Sequence, residues 1–359
     1  MPQSVFAHAL VLLRKWHLPP WCEQGPTPAA FLGIVRTKAL RATSTACLAL
    51  AAALALGFAT AAMAAPCPPA PLTAAEVAAA AARSDGKDRG LLWKLSRDGT
   101  TSWLYGTVHA GRPAWAAPGP IVARALKDSG VLALEMDPLA PDLQARIAAL
   151  MAAPRGVTLP SAVTNRLTRQ LQESCLPPAL IQALHPLAVT TLAQLTVARR
   201  AGLYAEYGVD MMLARQARAA GTPVVSLETP ELQIRALFGP PGTVDLQEVT
   251  ATLDSLENGK DTATLERLIA AWDRGDHAEL SSYARWCDCL TTPEERAMMR
   301  RVLDDRNPAL ARGIAGLHGP ARSVFAAVGA LHMTGDLSLL RLLAEQGFEV
   351  ERVPLRPAP

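Results

Sequence analysis

Two stretches near opposite ends of the chain share one unusual form. WLYGTVHAG (103–111) and VFAAVGALHMTG (324–335) each run an apolar segment into a glycine and set a histidine three places beyond it. A short apolar run that stops at glycine reads as a buried strand. A glycine at a strand's carboxyl end lets the backbone turn sharply or approach another group closely. Neither end of the chain carries enough strands for a sheet of its own. The two ends are therefore expected to pair in one sheet, with both histidines on loops at the carboxyl edge where α/β sheets bind ligands. Everything between must leave that sheet and return to it.

The remaining pattern fits this frame. LLWKLSR and TTSWLYGTVH flank Asp98-Gly99, a two-residue hairpin signal. VLALEMD (131–137), PVVSLE (223–228), the run 323–328 and FEVERVPL (348–355) read as further strands, the run at 323 opening a βαβ-type unit. Helical patterning dominates 142–152, 167–175, 179–220 and 245–318. Thr73 followed by Glu76 marks a short helix opened by a capping box. The expected fold is α/β, with a central, mostly mixed sheet flanked by helices and a helical insertion over about 142–318, inside a domain spanning 90–355. A linker and short helix (66–89) precede it, and residues 356–359 form a tail.

Charge narrows the function classes. The chain carries a formal net charge of +3. Residues 1–65 hold Arg14, Lys15, Arg36, Lys38 and Arg41 against Glu23 alone, so the rest is slightly negative. No nucleic-acid footprint follows. The basic excess flanks ACLALAAALALGFATAAMAA (46–65), an apolar stretch with an Ala-Met-Ala exit. Residues 1–65 therefore read as an extended n-region and signal peptide, cut after Ala64 or Ala65, or as a signal preceded by an upstream start codon. The expected location is the periplasm or the exterior, with transient membrane contact through the signal segment, ahead of an uncleaved inner-membrane anchor. Cys67, Cys175, Cys287 and Cys289 lie beyond this segment, which leaves three pairings open, including a bridge within Cys287-Asp288-Cys289.

Candidate chemistry gathers at the expected sheet edge. His109 and His332 follow Gly106 and Gly329. Two imidazoles suit a borderline divalent metal, and a carboxylate would complete a site. Glu135 ends an apolar strand, where an unpaired charge is costly. Glu228 ends another, either as a ligand, as a partner that orients a histidine, or as a cap for the helix near Pro230. Arg306 could hold a substrate carboxylate or an oxyanion, and Asn307 before Pro308 reads as a helix cap. Asp210 reads as a cap for the helix carrying Met211 and Met212. His185, His277 and His318 follow no strand and read as structural or solvated. HExxH, GxSxG, P-loop and dinucleotide signatures are absent.

Taken in order, these elements resemble the TraB/GumN family, which includes the Tiki proteases. The resemblance covers roughly residues 90–355. It rests on Gly106–His109, Glu135, Gly208 with Asp210, Leu227-Glu228-Thr229 with Gln233, Arg306-Asn307, and Gly329–His332 with Gly335. It implies a fold like that of erythromycin esterase and ChaN-like proteins. It also implies a divalent metal, manganese or cobalt ahead of zinc, held by His109, His332 and Glu135. Arg306 and Asn307 would support it, with Gly106, Gly329, Asp210 and Gln233 around them. The implied activity is peptidase-type amide hydrolysis on a peptide or secreted protein, with Glu135 or Glu228 as base. A ligand-binding protein using the same groove and a metal-independent esterase are the alternatives. Oligomeric state is left open.

Overall fold

Six strands form one mixed sheet in the order β4-β3-β5-β2-β1-β6. The computed structural model describes residues 66–320 and 322–355, and the signal-type segment lies outside them. The strands are β1 (Leu91–Arg97), β2 (Thr100–Thr107), β3 (Val131–Leu134), β4 (Val224–Ser226), β5 (Val324–Gly329) and β6 (Glu349–Val353). β2 and β5 pair in parallel, which joins the two ends of the chain as expected. β3 also runs parallel to β5 and to β4. β1 is antiparallel to both β2 and β6.

Composition explains the placement. β3 (VLAL) and the VFAAV of β5 are buried throughout, as central parallel strands covered on both faces must be. β6 alternates exposed and half-buried residues and lies at an edge. Asp98 and Gly99 take φ of 53° and 74°, the left-handed pair that a two-residue hairpin between twisted strands requires. β5, the helix Leu339–Glu345 and β6 form the expected parallel βαβ unit, but β2 and β1 lie between its strands.

The helical insertion sends β4 back to the sheet margin and builds a second apolar cluster of its own around Ile147, Leu167, Leu171, Val189 and Leu253. Among the described residues, no helix is long and apolar enough to cross a membrane. Cys67 bonds Cys175, and Cys287 bonds Cys289, which settles the pairing left open above.

Two boundaries differ from the sequence expectation for one reason. The strands expected to reach Asp137 and Glu228 end at Leu134 and Ser226. Backbone pairing nonetheless continues irregularly, with Leu227 N–H donating to Leu134 O at 2.8 Å and Glu228 N–H to Glu135 O at 2.9 Å. The backbone leaves strand geometry where the two glutamates turn toward charged partners.

Candidate active site at the carboxyl edge of the sheet

The four parallel strands β2, β3, β4 and β5 end on the same side, and each is followed by a residue named above. Thr107 lies beside Gly329 in register, so His109 and His332 leave the sheet from neighbouring strands. Leu134 lies beside Ser226, which places Glu135 next to Glu228. All four side chains are buried.

The two glycines provide space and not handedness, since neither has a positive φ. A Cβ on Gly106 would meet the Cα and Cβ of Ala330 at 3.2 Å, so the first glycine admits the loop of the second unit. A Cβ on Gly329 would stand 3.2 Å from Glu135 Oε1, 3.5 Å from His332 Cδ2 and 3.6 Å from His109 Nε2. The missing side chain of Gly329 is therefore the cradle around which both imidazoles and one carboxylate gather.

Each imidazole is held by one nitrogen. His109 Nδ1 bonds Asp210 Oδ1 at 3.0 Å. His332 Nδ1 bonds Asn307 Oδ1 at 2.5 Å, and Asn307 Nδ2 donates to Leu337 O at 2.8 Å. Because the Asn307 amide is fixed from its nitrogen side, its oxygen accepts the Nδ1 proton and leaves the His332 Nε2 lone pair facing inward. A partner that fixes the outer nitrogen and presents the inner one is typical of imidazoles that ligate metals. Asp210 stands in the first turn of the helix Val209–Ala219, whose first N–H donates to Val108 O at 2.8 Å. That bond ties the helix to the histidine loop.

Arg306 organises the carboxylates. Its Nε donates to Glu228 Oε1 at 2.9 Å, and its Nη2 bonds Glu135 Oε2 and Glu228 Oε2 in close contacts. Nη1 donates to Val302 O at 2.9 Å and to His332 Nε2 at 3.4 Å. Gln233 Nε2 adds bonds to Glu135 Oε2 at 3.1 Å and Glu228 Oε2 at 3.0 Å. Glu135 Oε1 accepts from Gly329 N–H at 2.7 Å and lies 3.9 Å from His109 Nε2.

These partners set the charges. Burial disfavours ionised Glu135, but Arg306 and the two imidazoles outweigh it and hold its pKa down to about 2. Burial, reinforced by Arg306, pushes His332 down to about 3, so it is neutral at physiological pH. Burial also works against a charge on His109, but the Asp210 carboxylate and its hydrogen bond prevail and raise its pKa.

Several sequence expectations change here. Asn307 caps no helix: it is the first residue of the helix Asn307–Leu317, and both ends of its amide are spent on His332 and Leu337. A guanidinium has five N–H groups, and all five of Arg306 are engaged, so in this arrangement it clamps carboxylates and does not reach for substrate. Glu228 has both oxygens committed, which makes it a partner for Arg306 and a poor base. Thr229, and not Glu228, caps the helix Pro230–Phe238. Asp210 grips His109 and is no helix cap. Asp137, two residues beyond Glu135, accepts from Arg218 Nη2 at 2.5 Å and takes no part in the cluster.

Two contributors escaped sequence reasoning. Trp272, in the helix Lys260–Asp273, donates from Nε1 to Gly106 O at 2.7 Å and pins the end of β2. Leu337 fixes Asn307 through its carbonyl, and a backbone carbonyl leaves no sequence signal.

In kind, the donors fit a borderline divalent cation: two imidazole Nε2 atoms and a carboxylate around a space cleared by glycine. Their present directions are those of an arginine-neutralised cluster. Among the described residues, no group of three or more His, Cys, Asp and Glu side chains is arranged to hold a metal. The guanidinium lies on Glu135 Oε2 and His332 Nε2, where a cation would draw its ligands.

Comparison with known proteins gives this geometry a context. The model of the TraB/PrgY/gumN family matches residues 91–352. Metalloprotease TIKI2 of Danio rerio is 24% identical over 323 residues, covering 74% of this chain and 61% of that protein. Metalloprotease TIKI1 of the same organism is 23% identical over 320 residues, covering 74% and 63%. The uncharacterized protein YbaP of Escherichia coli (strain K12) is 26% identical over 243 residues, covering 67% and 86%. The chain thus spans under two thirds of the length of these two Tiki relatives. No solved structure matches, so the likeness to erythromycin esterase rests on the sequence resemblance alone.

Proposed function

The chain belongs to the TraB/PrgY/gumN family, and from that premise we propose that it is a divalent-metal-dependent hydrolase of peptide-type amide bonds. One observation carries the reading. Two buried imidazoles from opposite ends of the chain, each held by its Nδ1, meet Glu135 around the cleared space at Gly329. His109, His332 and Glu135 would hold the ion. A divalent ion in such a setting lowers the pKa of bound water and polarises a carbonyl.

The chain's own residues prepare this chemistry. Asp210 and Asn307 fix the imidazole rings. Arg306 keeps Glu135 ionised inside the protein, so Glu135 is an anion at neutral pH and no proton shuttle, and Gln233 bonds both Glu135 and Glu228. Admitting the ion requires His332 and Glu135 to release Arg306, while Glu228 retains the guanidinium. The matches to metalloproteases TIKI1 and TIKI2 support the reaction class. The signal-type N-terminus and the two disulfides support export to an oxidising compartment. The substrate class that goes with this reading is a peptide or secreted protein.

The test is metal content. Full-length protein purified without a histidine tag is expected to bind manganese or cobalt stoichiometrically and to cleave members of a peptide library. His109→Ala and His332→Ala should each lose the metal. A folded wild type that takes up no divalent metal after supplementation would overturn the proposal. The guanidinium seated on both carboxylates favours one second reading, a hydrolase that works without metal, with His109 as the base oriented by Asp210. Cleavage that persists in chelator and disappears in Asp210→Asn would support it.

A further inference from the structure

A second cluster, unrelated to the sheet-edge site, surrounds the bridge between Cys287 and Cys289. Its sequence separation is 2, against 108 for Cys67–Cys175. A cross-link over so few residues removes little freedom from the unfolded chain, so it is a weak staple where the longer one is strong. It closes over Asp288, which takes φ of 50°, a left-handed conformation that is costly for a residue other than glycine.

The surroundings differentiate the two sulfurs. Cys287 is buried, Cys289 is half-buried and Asp288 is exposed. Cys289 N–H lies 3.2 Å from Cys287 Sγ and donates to it. That donor is placed to stabilise a negative charge on Cys287 when the bridge opens. A disulfide sulfur carries no proton, so the Tyr283 hydroxyl donates to Cys289 Sγ, 3.5 Å away. The Asp261 carboxylate acts electrostatically on Tyr283, and its buried Oδ2 has no hydrogen-bond partner among the described residues. Burial pushes the Asp261 pKa up, as expected of a carboxyl that can take and return protons. The nearby cations are paired: Lys260 with Asp288, and Arg267, which stacks 4.3 Å from the Trp286 ring centroid, with Glu279, while Arg296 donates to the carbonyls of Leu290 and Thr291.

We propose that Cys287–Cys289 is a thiol–disulfide exchange site whose substrate is a peptide dithiol, with Cys289 the sulfur attacked and Cys287 the sulfur released. One peptide thiolate attacks Cys289 Sγ. The Cys287–Cys289 bond breaks, its electron pair leaves on Cys287, and a mixed disulfide with Cys289 forms. The second peptide thiolate attacks the first peptide sulfur, forms the peptide disulfide and releases Cys289 as thiolate. The two protons lost by the peptide thiols end on Cys287 and Cys289. The peptide is oxidised by two electrons and the bridge is reduced by two, so no further reagent is needed for one turnover.

The experiment mixes oxidised full-length protein with a reduced Cys-x-x-Cys peptide under native conditions, quenches with acid, alkylates and maps the thiols by mass spectrometry. Cys287–Cys289 should open at least tenfold faster than Cys67–Cys175, with one peptide disulfide formed per bridge. With the same peptide supplied as its disulfide, the Cys289 thiolate of Cys287→Ser should attack it, release one peptide thiolate and trap a mixed disulfide on Cys289, whereas Cys289→Ser should trap little on Cys287. A bridge that stays closed until the protein is denatured would overturn the site. Equal trapping by the two variants would overturn the assignment of roles. The wild-type comparison of the two bridges decides the matter even if a variant fails to fold.

Discussion

β2 and β5 carry a buried histidine cluster at each of their ends, and the two clusters are built on opposite plans. At the amino end, His318 bonds Ser102 Oγ through Nδ1 at 2.8 Å and Arg97 O through Nε2 at 3.2 Å, with Phe348 edge-on to its ring at 4.9 Å. Both nitrogens are consumed by neutral partners. At the carboxyl end, Asp210 and Asn307 take one nitrogen from each imidazole, and the inner nitrogens converge on two carboxylates and a guanidinium. Both clusters are buried. The difference lies in the inner nitrogens and in the charge concentrated beside them, and that makes one end a candidate site and the other a structural pin.

The comparison can be broken hardest at Arg306. Arg306→Ala leaves Glu135 and Glu228 buried without a counter-charge. It should cost ~3–5 kcal/mol in chemical denaturation, the usual penalty for breaking a buried ion pair. A loss under about 1 kcal/mol would mean that the carboxylates find water or another partner.

Acid should reach the same cluster in stages. His332 holds its folded pKa near 3 against 6.5 for a free imidazole, so the unfolded chain binds the proton first. Stability is therefore lost as pH falls from 6.5 toward 3. Glu135, held near 2 against 4.5, adds a loss as pH falls from 4.5 to 2. His109 has the opposite sign: its contribution is full below 6.5 and fades as pH rises through its raised folded value. Urea midpoints measured across this range should decline below neutrality, and a flat profile would contradict the charge assignment.

A milder change at the positioning residues should separate ligand orientation from folding. Asp210→Asn and Asn307→Ala are expected to lower metal affinity about 10–100-fold, the usual penalty for losing the partner of a ligating imidazole. Titration calorimetry checks this, with circular dichroism confirming that the fold is kept. The smallest effect on the site is expected from the opposite end of the same strands. Ser102→Ala should cost ~1–3 kcal/mol of stability through unsatisfied buried groups, since Ser102 Oγ also accepts from Val324 N–H, and should leave metal affinity unchanged.

Much of the fold was legible because its signals are local. The Asp98-Gly99 hairpin, the buried runs of β3 and β5 and the capping box at Thr73 each depend on a few neighbouring residues. The pairing of the chain's two ends was legible because two matching units had no other sheet to join. The disulfide pairing was not, since four cysteines carry no mark of their partners. Asn307 misled for a similar reason. Asn before Pro is a sound local cap signal, and a distant imidazole overrode it.

By itself the sequence determined the strands, the hairpin, the helical middle and the membership of His109, His332, Glu135, Glu228, Arg306 and Asn307 in one family pattern. Only the tertiary structure decided what they do to one another. Arg306 and Glu135 stand 171 positions apart, and nothing within either neighbourhood says that four guanidinium donors will be spent inside the cluster. Periodicity and propensity act along the chain, whereas the choice of partner for a buried charge is made by distance and desolvation in space. The glycine that precedes His332 shows the division most clearly. Its position was evident from the sequence, but its task, leaving room for two imidazoles and a carboxylate, exists only once three distant segments meet over it.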